Sequence, residues 1–314
     1  MSITRVSTYQ VNKTFANQLN NTQSKFNKLT QQITSGDRIS STIEDPVAAR
    51  GIIKANKELS NIDEYKNNIE LADNELSTID ATLKSINDQL DKAHDLAMQI
   101  SNGTLGEEQI TAYQQELDSI IDNVTRLANT QYDDQYVFAG TRTTTSPYTV
   151  GANGLEYAGN DEARYAIIGE NKTEQINLIG KDYFGSADFT TNADGTITYN
   201  GGDGAFGALY KLKAAIQDGS NIDTTSLKDA MGELDEGVNT VTAGKTKVGA
   251  IGSTFDDMLT SYENDSLNIT KLRSNLQDTD LPSAISDWYS AYQSMQASYT
   301  MMGQRANLSL LNYI

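Results

Sequence analysis

The chain has 314 residues, 42 of them acidic and 24 basic, for a net charge of −18 at pH 7. A surface that negative repels nucleic-acid phosphates and anionic lipid headgroups, so neither nucleic acid nor a membrane surface is the expected partner. Cysteine is absent, which excludes disulfides, thiolate nucleophiles and Cys-ligated metal.

The opening residues, Met1 to Gln10, lack the apolar centre of a cleavable secretory signal, so export is expected to proceed without one. No later run approaches the roughly 18 apolar residues that would span a bilayer. Phe15, Leu19, Thr22, Phe26, Leu29 and Ile33 then recur at alternating steps of four and three, one stripe of a helix that Gly36 should end. A polar turn leads to Pro46. From Ile69 the same alternation runs through Ala72, Leu76, Ile79, Leu83, Ile86, Leu90, Ala93 and Ala97 to Ile100. That is the period of a coiled-coil seam, and a helix over residues 47–101 would be about 80 Å long.

Ser101-Asn102-Gly103 should stop this helix, and Glu107 to Thr130 should form the next, antiparallel to it, on Ile110, Leu117, Ile120, Val124 and Leu127. Between Gly140 and Gly219 lie 13 of the 23 glycines, together with the β-favouring runs Tyr165–Ile168 and Gln175–Ile179. Asp194-Gly195 predicts a hairpin turn, and Phe206–Gln217 a short amphipathic helix. The helical period returns in Val248, Ile251, Phe255, Met258, Tyr262, Ile269, Leu272 and Leu276, with Asp265 interrupting. After Pro282 a last helix carries Ile285, Trp288, Tyr292, Met295, Tyr299, Met302 and Ala306 on one stripe. The predicted fold class is mainly α: a long antiparallel coiled-coil-like helical rod built from both termini, with a small β-rich inserted domain in the middle. Segments 1–45 and 282–314 are expected to be weakly ordered assembly tails. Segments 46–139 and 222–281 form the rod, and 140–221 the outer domain. A short apolar stripe barely offsets the entropy of ordering a helix, so each tail should fold against a partner. The competing expectation is that the two ends pair with each other inside one chain.

The sequence offers little chemistry. Gly202-Asp203-Gly204-Ala205-Phe206-Gly207 fits the dinucleotide fingerprint, but no second parallel strand with an acidic residue follows, so a flexible return from the insert is expected. Gly244-Lys245-Thr246 resembles the end of a phosphate loop, yet the upstream glycine position holds Asn239 and the surroundings are helical. His94 is the only histidine, and a solvated or flanking role on its helix is expected. No catalytic, cofactor-binding or metal-binding residue is predicted, and no cofactor.

Several short segments carry a family resemblance. Ile33-Thr34-Ser35-Gly36-Asp37-Arg38-Ile39-Ser40, then Glu44-Asp45-Pro46-Val47-Ala48-Ala49-Arg50, resemble the N-terminal signature of flagellins and their relatives. The Asp-Pro-Val-Ala-Ala form is similar to the hook-associated protein 3 (FlgL) branch more than to filament flagellins. Ser101-Asn102-Gly103-Thr104-Leu105, Leu127-Ala128-Asn129-Thr130, Phe138-Ala139-Gly140-Thr141 and the closing Ser309-Leu310-Leu311-Asn312-Tyr313-Ile314 follow in that branch's order. Ile251 and Gly252, after Val248-Gly249-Ala250, depart from the usual Arg and Asn, and Glu44 stands where an Asp is common.

The resemblance implies a structural subunit of the bacterial flagellum, extracellular, exported by the flagellar type III apparatus and packed at the hook–filament junction. It implies as partners other copies in a ring, a neighbouring FlgK-like hook-associated protein, flagellin, and an FlgN-type export chaperone on the C-terminal helix. The residues expected to form the subunit and chaperone interface are Phe15, Leu19, Phe26, Leu29 and Ile33 at one end. At the other they are Ile285, Trp288, Tyr292, Met295, Tyr299, Met302, Leu310 and Leu311. The alternatives are a filament flagellin, or a secreted adhesion module or enzyme displayed on a flagellin-like stem.

Overall fold

The computed structural model describes residues 8–103, 106–217 and 223–311, with side chains described at residue 10 and from residue 13 to residue 304 within them. Seven helices and eight short strands follow one another, with the strands confined to the middle of the described chain. Contacts divide it into two units, Met1–Asn61 with Asn264–Ile314, and Ile62–Glu263.

The unit built from the ends contains α1 (Thr8–Ser35) and α7 (Leu281–Leu311), with the beginning of α2 (Pro46–Asn102) and the end of α6 (Thr224–Gln277). Helix α1 stops where Gly36 was expected to stop it. α1 and α7 pack together, the pairing of the two ends within one chain.

In the other unit, the predicted stripe of α2 is the core: Ile69, Ile79, Leu83, Ile86, Leu90, Ala93 and Ala97 are fully buried. Residue numbers on α2 rise as those on α6 fall. Tyr65 lies against Tyr262 with ring centroids 5.9 Å apart, Asn87 donates to Thr242 at 3.0 Å, and His94 Nε2 is 3.6 Å from Asp235. The two helices are therefore antiparallel here, and the half-buried His94 flanks their seam. Helix α3 (Glu107–Ala128) buries Ile110, Leu117, Ile120, Ile121 and Val124, and its Tyr113 hydroxyl reaches back to Gln99 of α2 at 3.5 Å.

The β-rich insert begins with a ribbon of β1 (Gln131–Tyr132) and β2 (Gln135–Tyr136). An antiparallel four-stranded sheet follows in the order β3 (Tyr148–Gly151), β4 (Gly154–Tyr157), β7 (Ser186–Thr191), β8 (Ile197–Asp203). A second ribbon pairs β5 (Tyr165–Gly169) with β6 (Lys172–Gln175). The Asp194-Gly195 turn joins β7 to β8 as expected, with the Asp194 carboxylate accepting the Thr196 amide at 3.0 Å. Helices α4 (Gly180–Phe184) and α5 (Gly204–Ile216) close the core. Phe138, Tyr148, Phe184 and Phe206 meet there, Phe138 edge-on to Phe184 at 4.9 Å and Tyr148 against Phe206 at 4.8 Å.

Two readings need correction. The run Gln175–Ile179 is not one continuous strand: β6 ends at Gln175, Asn177 and Leu178 turn inward, where the Asn177 amide oxygen accepts the Arg164 amide at 2.8 Å, and Ile179 pairs again only as an isolated antiparallel bridge with Ala139. An apolar run was enough for burial but did not specify a ladder. Leu272, placed on the α6 stripe, is exposed. Thr104, Leu105, Asp218, Gly219 and Asn312-Tyr313-Ile314 lie outside the described residues.

Candidate functional site

The signature segments at the start of the chain form a clamp. Asp45 caps α2: its Oδ1 accepts the Ala48 amide at 3.0 Å, and Pro46 occupies the first helical position, where a missing N–H costs nothing. Ala48 and Ala49 are buried behind it. The Ala48 amide, and after it the Arg38 charge, holds the Asp45 carboxyl below its ordinary range. Glu44 accepts the Ser40 amide at 3.1 Å and lies 3.2 Å from the Lys28 ammonium, which together lower its carboxyl as well.

Arg38 joins this turn to the opposite end of the sequence. Its amide donates to the Gln277 carbonyl at 2.6 Å and its Nη2 to the Leu276 carbonyl at 2.8 Å. The Thr279 amide donates to the Gly36 carbonyl at 2.8 Å, and the Gln277 amide side chain to Asp37 at 3.0 Å. The last carbonyls of α6 thus find donors in the Ser35-Gly36-Asp37-Arg38 turn, which fixes where α6 ends and α7 begins.

From this clamp α1 and α7 run side by side. Phe15, Leu19, Phe26 and Ile33 are half-buried and Leu29 is buried, so the α1 stripe faces its partner helix. On α7 the inward positions are Ala284, Trp288, Ala291 and Met295, again at steps of four and three. Trp288 sits 5.2 Å from Phe26, stacks on Tyr292 at 5.6 Å, and donates its indole N–H to Thr30 Oγ1 at 2.9 Å. Ile285, Tyr289, Tyr292 and Tyr299 lie to one side of that seam and stay exposed; Met302 continues the seam line seven residues beyond Met295 but is exposed, as is Met301. The side chains of Leu310 and Leu311 lie outside the described residues. Sequence reasoning gave α7 one apolar stripe. The structure gives it two, a seam in which Ala284 and Ala291 alternate with Trp288 and Met295, turned to α1, and an exposed, mostly aromatic side. The alanines were the missed signal, because a small side chain at a seam position lets two helices approach.

Charge is divided as sharply. The unit built from the ends holds eleven basic and eight acidic residues, leaving thirteen basic and thirty-four acidic in the other, or net charges of +3 and −21.

The tempting chemical motifs have structural uses. Gly202 lies on β8, antiparallel to β7, and a Cβ there would come 2.6 Å from the Ser186 carbonyl; Asp203 Oδ1 accepts the Ser186 amide at 2.9 Å. The expected flexible return is therefore a close-packed strand-to-helix junction. Gly244 is buried on α6, where a Cβ would meet the Tyr183 ring at 2.8 Å. Among the described residues no group of three or more metal-ligating side chains is gathered, and no helix is long and apolar enough to cross a membrane.

Comparison with known proteins supplies the context. The bacterial flagellin N-terminal helical region matches residues 6–143, and the bacterial flagellin C-terminal helical region matches residues 231–314, together well over half of the chain. The flagellar hook-associated protein 3 of Salmonella typhimurium is 25% identical over 317 residues, covering 98% of this chain and 98% of that protein. A flagellin of Listeria innocua is 24% identical over 275 residues, covering 87% of this chain and 86% of its own. The crystal structure of the flagellar junction protein FlgL from Legionella pneumophila superposes with a TM-score of 0.59 at 15% identity, over 73% of this chain and 100% of that one. With flagellin helical regions at both ends and a hook-associated protein 3 aligned along nearly its whole length, the chain belongs to the bacterial flagellin family, on its hook-associated protein 3 branch, and is a structural subunit of the flagellum.

Proposed function

We propose that the chain forms a ring at the junction between hook and filament, packing through its terminal helices against other copies of itself, a neighbouring FlgK-like hook-associated protein and flagellin. It leaves the cell through the flagellar type III apparatus, and before export an FlgN-type chaperone holds its C-terminal helix. Segments 1–45 and 282–314 act as the assembly tails, 46–139 and 222–281 as the stem, and 140–221 as the outward domain.

The observation that carries this reading is the two-faced α7. Its seam of Ala284, Trp288, Ala291 and Met295 is used within the chain, whereas Ile285, Tyr289, Tyr292 and Tyr299, at steps of four, three and seven along one side of the helix, are exposed. Faces of that kind mark interaction surfaces. The unit that bears it has a net charge of only +3, so charge within that unit opposes close packing of copies little.

Deleting residues 283–314 is expected to abolish chaperone binding and ring formation while the unit Ile62–Glu263 stays folded. Normal motility from cells carrying that truncation would defeat the proposal. Immunogold labelling separates it from the flagellin reading: label at the distal end of the hook marks a junction protein, label along the whole filament a flagellin.

A further inference from the structure

Two apolar features of the unit built from the ends stand open among the described residues. The first is a knob. Ile43 is 89% exposed and Val47, at the start of α2, is 78% exposed. The turn that presents Ile43 is held, because the Glu44 amide donates to the Ser41 carbonyl at 3.0 Å, the Ile43 amide reaches Ser41 Oγ at 3.3 Å, and Glu44 is tied to Ser40 and Lys28. With the backbone of the turn already held, docking costs Ile43 side-chain freedom alone, which leaves more of its transfer free energy available to binding.

The second is a notch of about 270 Å³ between α1 and α7, walled by Thr30, Ile33, Thr34, Ile285, Trp288 and Tyr289. That is below the roughly 300–1,000 Å³ of small-molecule sites and suits one or two side chains. No charged group lines it, and the Thr30 hydroxyl already accepts the Trp288 indole N–H, so an apolar occupant strands no charge.

We propose that Ile43 and Val47 of one copy seat in the Ile33/Ile285/Trp288/Tyr289 notch of the next. This rests on the reading of the chain as an assembly subunit and names the contact that joins its copies. A second copy is the favoured occupant because the chain supplies both halves, each open in this structure. Both also lie in the unit of net charge +3, so charge within that unit opposes their contact little. Knob and notch are different surfaces, so the contact is head-to-tail, and such contacts close into rings or propagate as helical filaments, whereas a self-complementary patch stops at a dimer.

The absence of cysteine makes the test clean. Two differently tagged copies, one Ile43→Cys and one Tyr289→Cys, are expressed together, and isolated flagella are treated with a short bismaleimide. A covalent dimer bearing both tags is expected, and a ladder of multimers when one chain carries both substitutions. Both copies present at the flagellum but joined to no partner, or only to a different protein, would overturn the contact while leaving the assembly reading intact. Absence of the unsubstituted chain from flagella would overturn that reading itself. Sedimentation of purified parent and Ile43→Asp chains gives a second measurement: self-association at least tenfold weaker is expected for the variant, and equal behaviour of the two would overturn the contact.

Discussion

Arg38 Nη2 donates to the main-chain oxygen of Leu276 across 2.8 Å, joining residues 238 positions apart. The same guanidinium lies 3.6 Å from Asp45, so one side chain links the last turn of α6 to the cap of α2. Arg38→Ala should cost about 1 kcal/mol, the worth of a charge-assisted hydrogen bond discounted for its exposure. Arg38→Lys should recover little, because a lysine lacks the planar fork that reaches two acceptors. Hydrogen exchange at the Thr279 amide, bonded to Gly36, reads the effect. Unchanged protection there in Arg38→Ala would mean that the backbone bridge alone sets the turn.

Glu75 on α2 and Arg164 beside β5 form a largely buried ion pair. Burial raises the Glu75 carboxyl above its ordinary value of 4.5, and the Arg164 charge only partly offsets it. The native state therefore holds this proton to higher pH than the unfolded chain does, and stability falls as pH rises from 4.5 through the raised value. Arg164→Met removes the offset, pushes the carboxyl higher and extends that window upward. Its cost should be about 3 kcal/mol at neutral pH and smaller at pH 5, where more of Glu75 carries its proton and less of it needs a charged partner. Glu75→Leu added to Arg164→Met should restore most of the loss. Denaturant unfolding at the two pH values checks this, and a pH-independent loss in Arg164→Met would refute it.

Gly244 faces the Tyr183 ring from α6, and the added methyl of Gly244→Ala would come within 2.8 Å of it. Ala is the better helix former by roughly 1 kcal/mol, so on an open face the substitution would stabilise. Here overpacking should win, with a net loss of about 1–2 kcal/mol. Gly232→Ala, where a Cβ would meet nothing within 4 Å on the same helix, should instead gain stability. Thermal unfolding of the two variants should move in opposite directions, and a shift of the same sign in both would rule out the steric account.

These positions show what could be read without coordinates. The α2 stripe was legible because Ile, Leu and Ala repeat at seam positions without a break, and burial at such positions hardly depends on what lies opposite. The first half of the α6 stripe was not: Leu227, Ala230, Leu234, Gly237, Val241 and Gly244 keep the period, but two of its members are glycines. Their role depends on Ala205 and Tyr183 packing against them, neighbours far away in sequence. The same limit applies at α7, where large apolar residues and small ones sit side by side on the helix. Which set faces inward is decided by the aromatic Phe26 on α1, and periodicity alone does not contain that choice. The signature around Asp45-Pro46 was recognised as a resemblance, but its use as a cap, and the reach of Arg38 to Leu276, required the fold.

Trp288 is the only tryptophan, so its emission reports on the α1–α7 seam alone. That seam is thin. Leu29, Ala284 and Ala291 are its buried members, while Phe26 and Trp288 remain half-exposed. The other unit, by contrast, has a continuous core in which Ile69, Ile79, Leu83, Leu117 and Phe255 are fully buried. Local stability follows buried apolar contact, so the two regions should not melt together. On heating, the Trp288 emission should shift to the red before most of the far-ultraviolet helical signal is lost. Phe26→Ala removes the ring 5.2 Å from the indole and should advance the first transition while leaving the second in place. Its cost should be about 1–2 kcal/mol, below the 3–5 of a fully buried Phe→Ala, because the site is already partly wet. A weakly held pair of end helices can exchange its internal contacts for contacts with a neighbour at small cost, which assembly through these helices requires. A single transition, with fluorescence and circular dichroism coincident in both parent and variant, would show the ends to be as firmly built as the middle and remove that basis for assembly.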